Sequence, residues 1–116
     1  MINTRAKGNR IQLKFIEHLK EEGWLVGKVE QTGKFVKEKD LFGLFDLAGI
    51  NPSRILLAQV TCNRPHTHED YIKFSKTYPV RKLVIMQGVW YDHKGWKIFT
   101  YYNGRKYVRD LRKGKQ

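Results

Sequence analysis

Two apolar stretches of this 116-residue chain are interrupted by polar side chains that burial would make costly. Asp46 breaks LFGLFDLAGI (residues 41–50), and Gln59 and Thr61 break ILLAQVT (residues 55–61). Strand side chains alternate, so Gln59 and Thr61 share one face, and a hairpin joining the two stretches lets Asp46 project onto it. A carboxylate, an amide oxygen and a main-chain carbonyl such as that of Val60 together make a patch of hard oxygens. That chemistry suits Mg²⁺ or Mn²⁺, which accepts one or two carboxylates and keeps its other positions for water and phosphate oxygens. The plainer reading of the same residues has Asp46 capping a turn and Gln59 bonding a neighbour within the sheet.

Other reactive side chains offer less. His66 and His68 follow Cys62 at a spacing that matches no usual zinc pattern, and Thr67-His68 reads as the opening of a helix. Cys62 has no evident activating base nearby in sequence, so a nucleophilic role has nothing to support it.

The elements that must position these residues follow from periodicity and turn chemistry. Residues 1–7 read as a loose basic arm. From Asn9, Ile11, Leu13, Phe15, Ile16 and Leu19 fall near helical spacing, and Gly23 ends the helix. WLVGKV (24–29) reads as a strand and the polar stretch 31–39 as a loop. Leu44–Ile50 and Ile55–Thr61 form a hairpin about Asn51-Pro52-Ser53-Arg54. Thr67 caps a second helix of about ten residues, with Glu69 and Asp70 in its first turn and Pro79 beyond its end. Strands at Val80–Val89 and Trp96–Tyr102 come next, and Lys106–Leu111 reads as a last short strand or helix. The order αβββαββ describes one α/β domain over 1–116, a mixed central sheet flanked by helices, with 103–116 as a basic tail.

Composition sets the partner class. The chain carries 23 Lys+Arg against 11 Asp+Glu, a net charge of +12. Residues 1–39 hold nine basic against five acidic side chains, 40–96 seven against five, and 97–116 seven against one. The ends are therefore basic and the middle near balance, a field that attracts polyanions, with aromatic residues interleaved that can stack on bases. Surface solubility is the bland alternative. An anionic membrane is the weaker competitor, because the terminal basic segment has no apolar helical face. One cysteine excludes an internal disulfide framework. With no leader or apolar span, the expected location is the cytoplasm, that of a host if the source is viral.

These residues and their order resemble the PD-(D/E)XK nuclease superfamily, in particular archaeal Holliday-junction resolvases and their small phage- or virus-encoded relatives. The matching pieces are Lys7-Gly8-Asn9-Arg10, Gly23-Trp24-Leu25-Val26, DLFGLFDLA (residues 40–48) and Leu57-Ala58-Gln59-Val60-Thr61, and the resemblance covers about residues 7–102. It implies a restriction-endonuclease-like fold and a Mg²⁺- or Mn²⁺-dependent endonuclease, a homodimer acting on DNA. Asp46, Gln59 and the Val60 carbonyl would hold the metal, and Gln12 and Thr61 would complete the site. The chain departs from the motif at three charged positions: Gln12 stands for a helix Glu, Gln59 for an acid and Thr61 for the catalytic Lys. Asp40 is a candidate second acid and Glu38 a poorer one, while Lys73 or Lys76 could replace the missing lysine. Expected DNA contacts are Lys7, Arg10, Lys37, Lys39, Arg64, Arg105, Lys106, Arg109 and Arg112.

Two other readings stay open. One is a catalytically inactive nuclease fold that binds DNA, favoured by the loss of the helix Glu and the lysine. The other is an RNA-binding module with the tail as an electrostatic arm.

Overall fold

A computed structural model describes residues 4–29 and 41–112, with the backbone alone for residues 4–6. Its elements run α1 (Thr4–Glu21), β1 (Leu25–Lys28), β2 (Leu47–Ile50), β3 (Ile55–Cys62), α2 (His68–Thr77), β4 (Leu83–Tyr91), β5 (Gly95–Tyr102) and β6 (Arg105–Asp110). The six strands form one sheet in sequence order. Every neighbouring pair is antiparallel except β3 and β4, which are parallel. A parallel pair needs a crossover, and α2 supplies it. The fold is the mixed α/β class expected, with one strand more than the αβββαββ core.

Each face of the sheet is covered by one helix, so the central strands are apolar on both sides. Even-numbered residues of β3, β4 and β5 (Leu56, Ala58, Met86, Trp96, Ile98) pack with Ile11, Phe15, Ile16 and Leu19 of α1. Odd-numbered ones (Leu57, Ile85, Val89, Phe99, Tyr101) pack with Phe45 and with Tyr71 of α2. Leu13, grouped with the apolar stripe by its spacing, instead faces solvent.

Several boundaries differ from the sequence reading. α1 starts at Thr4, not Asn9, so residues 4–7 are helical rather than part of a loose arm. Gly8 does not prevent this, since a helix-interior glycine costs only about 1 kcal/mol. At its other end Gly23 takes φ 96°, and the bonds Gly23 N–H to Lys20 O and Trp24 N–H to Leu19 O close the helix in a Schellman motif. β2 begins at Leu47 because residues 41–45 fold into a tight turn bridged between Leu41 and Phe45. The Asn51 turn is as expected, its side-chain oxygen accepting from the Ser53 and Arg54 N–H groups. Thr67 occupies the N-cap position of α2, yet its side chain makes no capping bond. Toward the other end of the chain, Arg105–Asp110 is the edge strand β6, so this part of the expected basic tail is sheet.

Candidate active site

Asp46 sits where the chain turns into β2. Its N–H donates to Ala58 O (3.0 Å) and its carbonyl accepts from Val29 N–H (2.9 Å), fixing it between β1 and β3. Carbonyls two residues apart on a strand point the same way, so the Val60 carbonyl aims toward the β2 side as Ala58 O does. The β2–β3 ladder ends at Leu47–Ala58, two residues short of it. From α1, the Gln12 Nε2 donates to Asp46 Oδ2 at 3.0 Å. The sheet and the first helix thus meet at this carboxylate.

Gln59 and Thr61 share the α2 face of β3, as alternation requires. Gln59 is only 6% exposed, and among the described residues Gln59 Oε1 and Thr61 Oγ1 are buried with no hydrogen-bond partner. A buried oxygen without a partner costs about 1–3 kcal/mol, and these two stand two residues apart on one face of β3. Gln59 lines a cavity of about 140 Å³ with Gly43, Leu44, His66, Asp70 and Tyr71. The Tyr71 hydroxyl donates to Leu44 O at 2.8 Å, tying α2 to the turn before β2.

Behind Gln59 lies a polar chain that sequence reasoning missed. Gln87 is fully buried on β4 in register with Gln59. Its Oε1 accepts from His66 N–H at 2.8 Å, and its Nε2 reaches His66 O at 3.2 Å and the Tyr101 hydroxyl at 2.9 Å. The Tyr101 oxygen is 2.7 Å from His68 Nδ1. The Tyr101 oxygen accepts from Gln87, and the imidazole tautomer sets which partner donates in the Tyr101–His68 bond. Burial pushes the Tyr101 phenol up to about 12. Burial also lowers the His68 pKa, helped by Lys106 and Lys97. The signal for Gln87 was present: it interrupts LVIMQGV just as Gln59 interrupts ILLAQVT.

The described geometry now meets known structures: this is a resolvase-like fold. The chain is similar to Hjc from Archaeoglobus fulgidus, a Holliday junction resolvase from an archaeal hyperthermophile, with a TM-score of 0.57. The match covers 80% of this chain and 76% of that one at 14% sequence identity, so the shared property is the fold. No family model and no curated protein matches the chain.

The remaining predicted residues divide by position. Lys73 is exposed on α2 and lines a neighbouring depression with Phe42 and Phe74, not the cavity at Gln59. Lys76 packs by the Gly104 turn. Lys37, Glu38, Lys39 and Asp40 lie outside the described residues. Lys7 is paired with Asp92 at 2.8 Å, which raises the lysine pKa and lowers that of the carboxyl. Asn63 also donates to Asp92, so this knot joins α1 to the ends of β3 and β4. Arg10 lines a pocket of about 240 Å³ with Lys7, Lys14, Trp90 and His93, and the Lys14 ammonium sits 4.2 Å from the centre of the Trp90 ring. Arg64 is exposed on the loop after β3. Arg105 and Lys106 are exposed on β6, three strands from β3 or roughly 14 Å across the sheet. Arg109 is held by Glu22 at 2.9 Å, and Arg112 by Asp110 at 2.7 Å.

The donor set accords with a hard divalent cation. Asp46 carries one carboxylate beside Gln12 of α1, and Gln59 Oε1 and Thr61 Oγ1 are two buried neutral oxygens on the α2 face of the next strand. Among the described residues no three His, Cys, Asp or Glu side chains gather at one point.

Proposed function

We propose that this protein is a divalent-cation-dependent DNA endonuclease of the PD-(D/E)XK type, hydrolysing phosphodiester bonds in branched or duplex DNA as a homodimer. The observation that carries the reading is the pair of buried, unpartnered oxygens of Gln59 and Thr61 on β3 of a resolvase-like fold, with the Asp46 carboxylate, bonded by Gln12, at the entry to neighbouring β2. Asp46, Gln59 Oε1 and the Val60 carbonyl hold the cation, Mg²⁺ or Mn²⁺, with Asp40 as a second acid. When bound, the metal lowers the pKa of a coordinated water and offsets charge on the scissile phosphate. Gln12 keeps the Asp46 carboxylate in one orientation by its N–H bond. Thr61, in place of a lysine, offers a hydroxyl that can donate to a water or a phosphate oxygen, without the positive charge. Arg10 and Arg64 draw the DNA backbone toward the site. With one formal negative charge described at the metal position, phosphate oxygens of the DNA supply part of the affinity, so cation and DNA bind together.

One observation favours a second reading. Gln12 presents an N–H donor to the carboxylate where a nuclease of this type has an acid, which suits a protein that binds DNA without cutting it. Labelled four-way junction, flap, duplex and single-stranded DNA, each with Mg²⁺, Mn²⁺ or EDTA, separate the two. Metal-dependent cleavage that drops at least about 100-fold in Asp46→Ala, with the variant's thermal unfolding intact, is the expected result. Salt-sensitive binding without cleavage under either metal establishes the binding protein instead, and clear preference for RNA would overturn both.

A further inference from the structure

We propose that His66, clamped by Gln87, is a positioning residue that turns the carbonyl oxygen of Gln59 toward the metal position. The proposal rests on the metal-dependent reading above. A carboxylate needs no such help, since both its ends are oxygen. An amide is different: its two ends are nearly the same size, and only its hydrogen bonds decide which one points where. A glutamine in place of a metal-binding acid is useful in one orientation and repels the cation in the other.

The structure contains a device that makes this choice. Gln87 grips the His66 main chain at both N–H and C=O, at 2.8 and 3.2 Å. Its own orientation is unambiguous, because the His66 N–H requires the oxygen and the Tyr101 bond takes the nitrogen. Gln87 has no solvent exposure, so the clamp is anchored in the core. It sets the imidazole Nε2 3.2 Å from the Gln59 Nε2. With the ring nitrogen accepting, one amide N–H is satisfied and Oε1 is left for a ligand. The reverse arrangement would strand two N–H donors in a buried site, and orphaned N–H groups are rarer in proteins than under-satisfied carbonyls. His66 thus lets a neutral side chain serve where an acid would otherwise stand.

Two measurements test this on the full-length protein. In ¹⁵N-labelled protein, a scalar coupling across the hydrogen bond between Gln59 Nε2 and His66 Nε2 is expected. It needs no metal, and its absence from the wild type means the amide points the other way and overturns the proposal. Mn²⁺ affinity in the presence of uncleavable DNA is then compared in wild type, His66→Ala, Gln59→Glu and the double variant. His66→Ala should weaken Mn²⁺ binding about 10- to 100-fold in the Gln59 background. It should have little effect in the Gln59→Glu background, where orientation no longer matters. An equal loss in both backgrounds means His66 is merely structural and overturns the proposal. If the coupling is present but neither wild type nor Gln59→Glu binds Mn²⁺, the metal-dependent reading itself fails, and the role given to His66 fails with it.

Discussion

At the scale of single residues, the site is defined by oxygens that the protein leaves unanswered. The Thr61 hydroxyl is buried yet makes no bond among the described residues, so removing it should cost the fold nothing. Thr61→Val is expected to keep the unfolding free energy within about 0.5 kcal/mol of wild type, or to raise it. Cleavage should fall roughly 10- to 100-fold if that oxygen serves the cation or the phosphate. Urea denaturation and a junction-cleavage assay on one preparation read both quantities. A stability loss above about 1 kcal/mol would mean that the hydroxyl has a structural partner. Gln59 and Thr61 were visible in sequence as polar interruptions of an apolar run. Gln87 gave the same signal, but only the pairing of β3 with β4 shows that it stands beside Gln59. His66 offered no signal of this kind, because its part depends on a loop held by main-chain bonds.

At the scale of elements, the site depends on how closely the helices approach the sheet. Gly88 lies under α1 on the central strand β4, and a Cβ there would come within 2.5–2.9 Å of the Phe15 ring. Phe15 is fully buried and has no room to yield. Gly88→Ala should therefore destabilise by about 1–3 kcal/mol, measured as a lower urea midpoint, with part recovered in Gly88→Ala/Phe15→Leu. On the other face, α2 opens with His68 against Tyr101 and Phe99. The His68 pKa is depressed from 6.5, first by burial and then by Lys106 and Lys97. The unfolded chain therefore takes up this proton first, so as pH falls below about 6.5 stability declines until the folded group also titrates. His68→Gln should flatten that part of the pH dependence of the melting temperature. Equal slopes in both proteins would remove His68 as the cause.

At the scale of the whole molecule, the +12 charge is unevenly available. Arg109 and Arg112 carry the same charge as Arg10 and Arg64, but they are held by Glu22 and Asp110. Arg10 and Arg64 have no ion-pair partner among the described residues. A cation already paired displaces few counterions when it meets a phosphate. Salt titrations of DNA binding should thus show the log–log slope reduced by about 1 in Arg10→Gln and in Arg64→Gln. Arg112→Gln should leave it nearly unchanged. Equal reductions in all three would mean that net charge, and not its placement, governs binding.

The sequence alone determined the net charge, the order of elements and the residues worth watching. Charge is a sum over composition, and helix and strand periods are local patterns, so each can be read without the fold. Alternation put Gln59 and Thr61 on one face of β3, whereas Asp46 precedes β2 and bonds to Gln12 of α1. Other features depended on contacts between residues distant in the chain. The bond from Gln12 to Asp46 spans 34 positions and the pair of Arg109 with Glu22 spans 87. The conversion of the basic end into an edge strand also required a partner strand to be present. Which polar atoms are left unsatisfied is likewise a property of packing, because a side chain's partners are chosen only when the sheet and its two helices close around it.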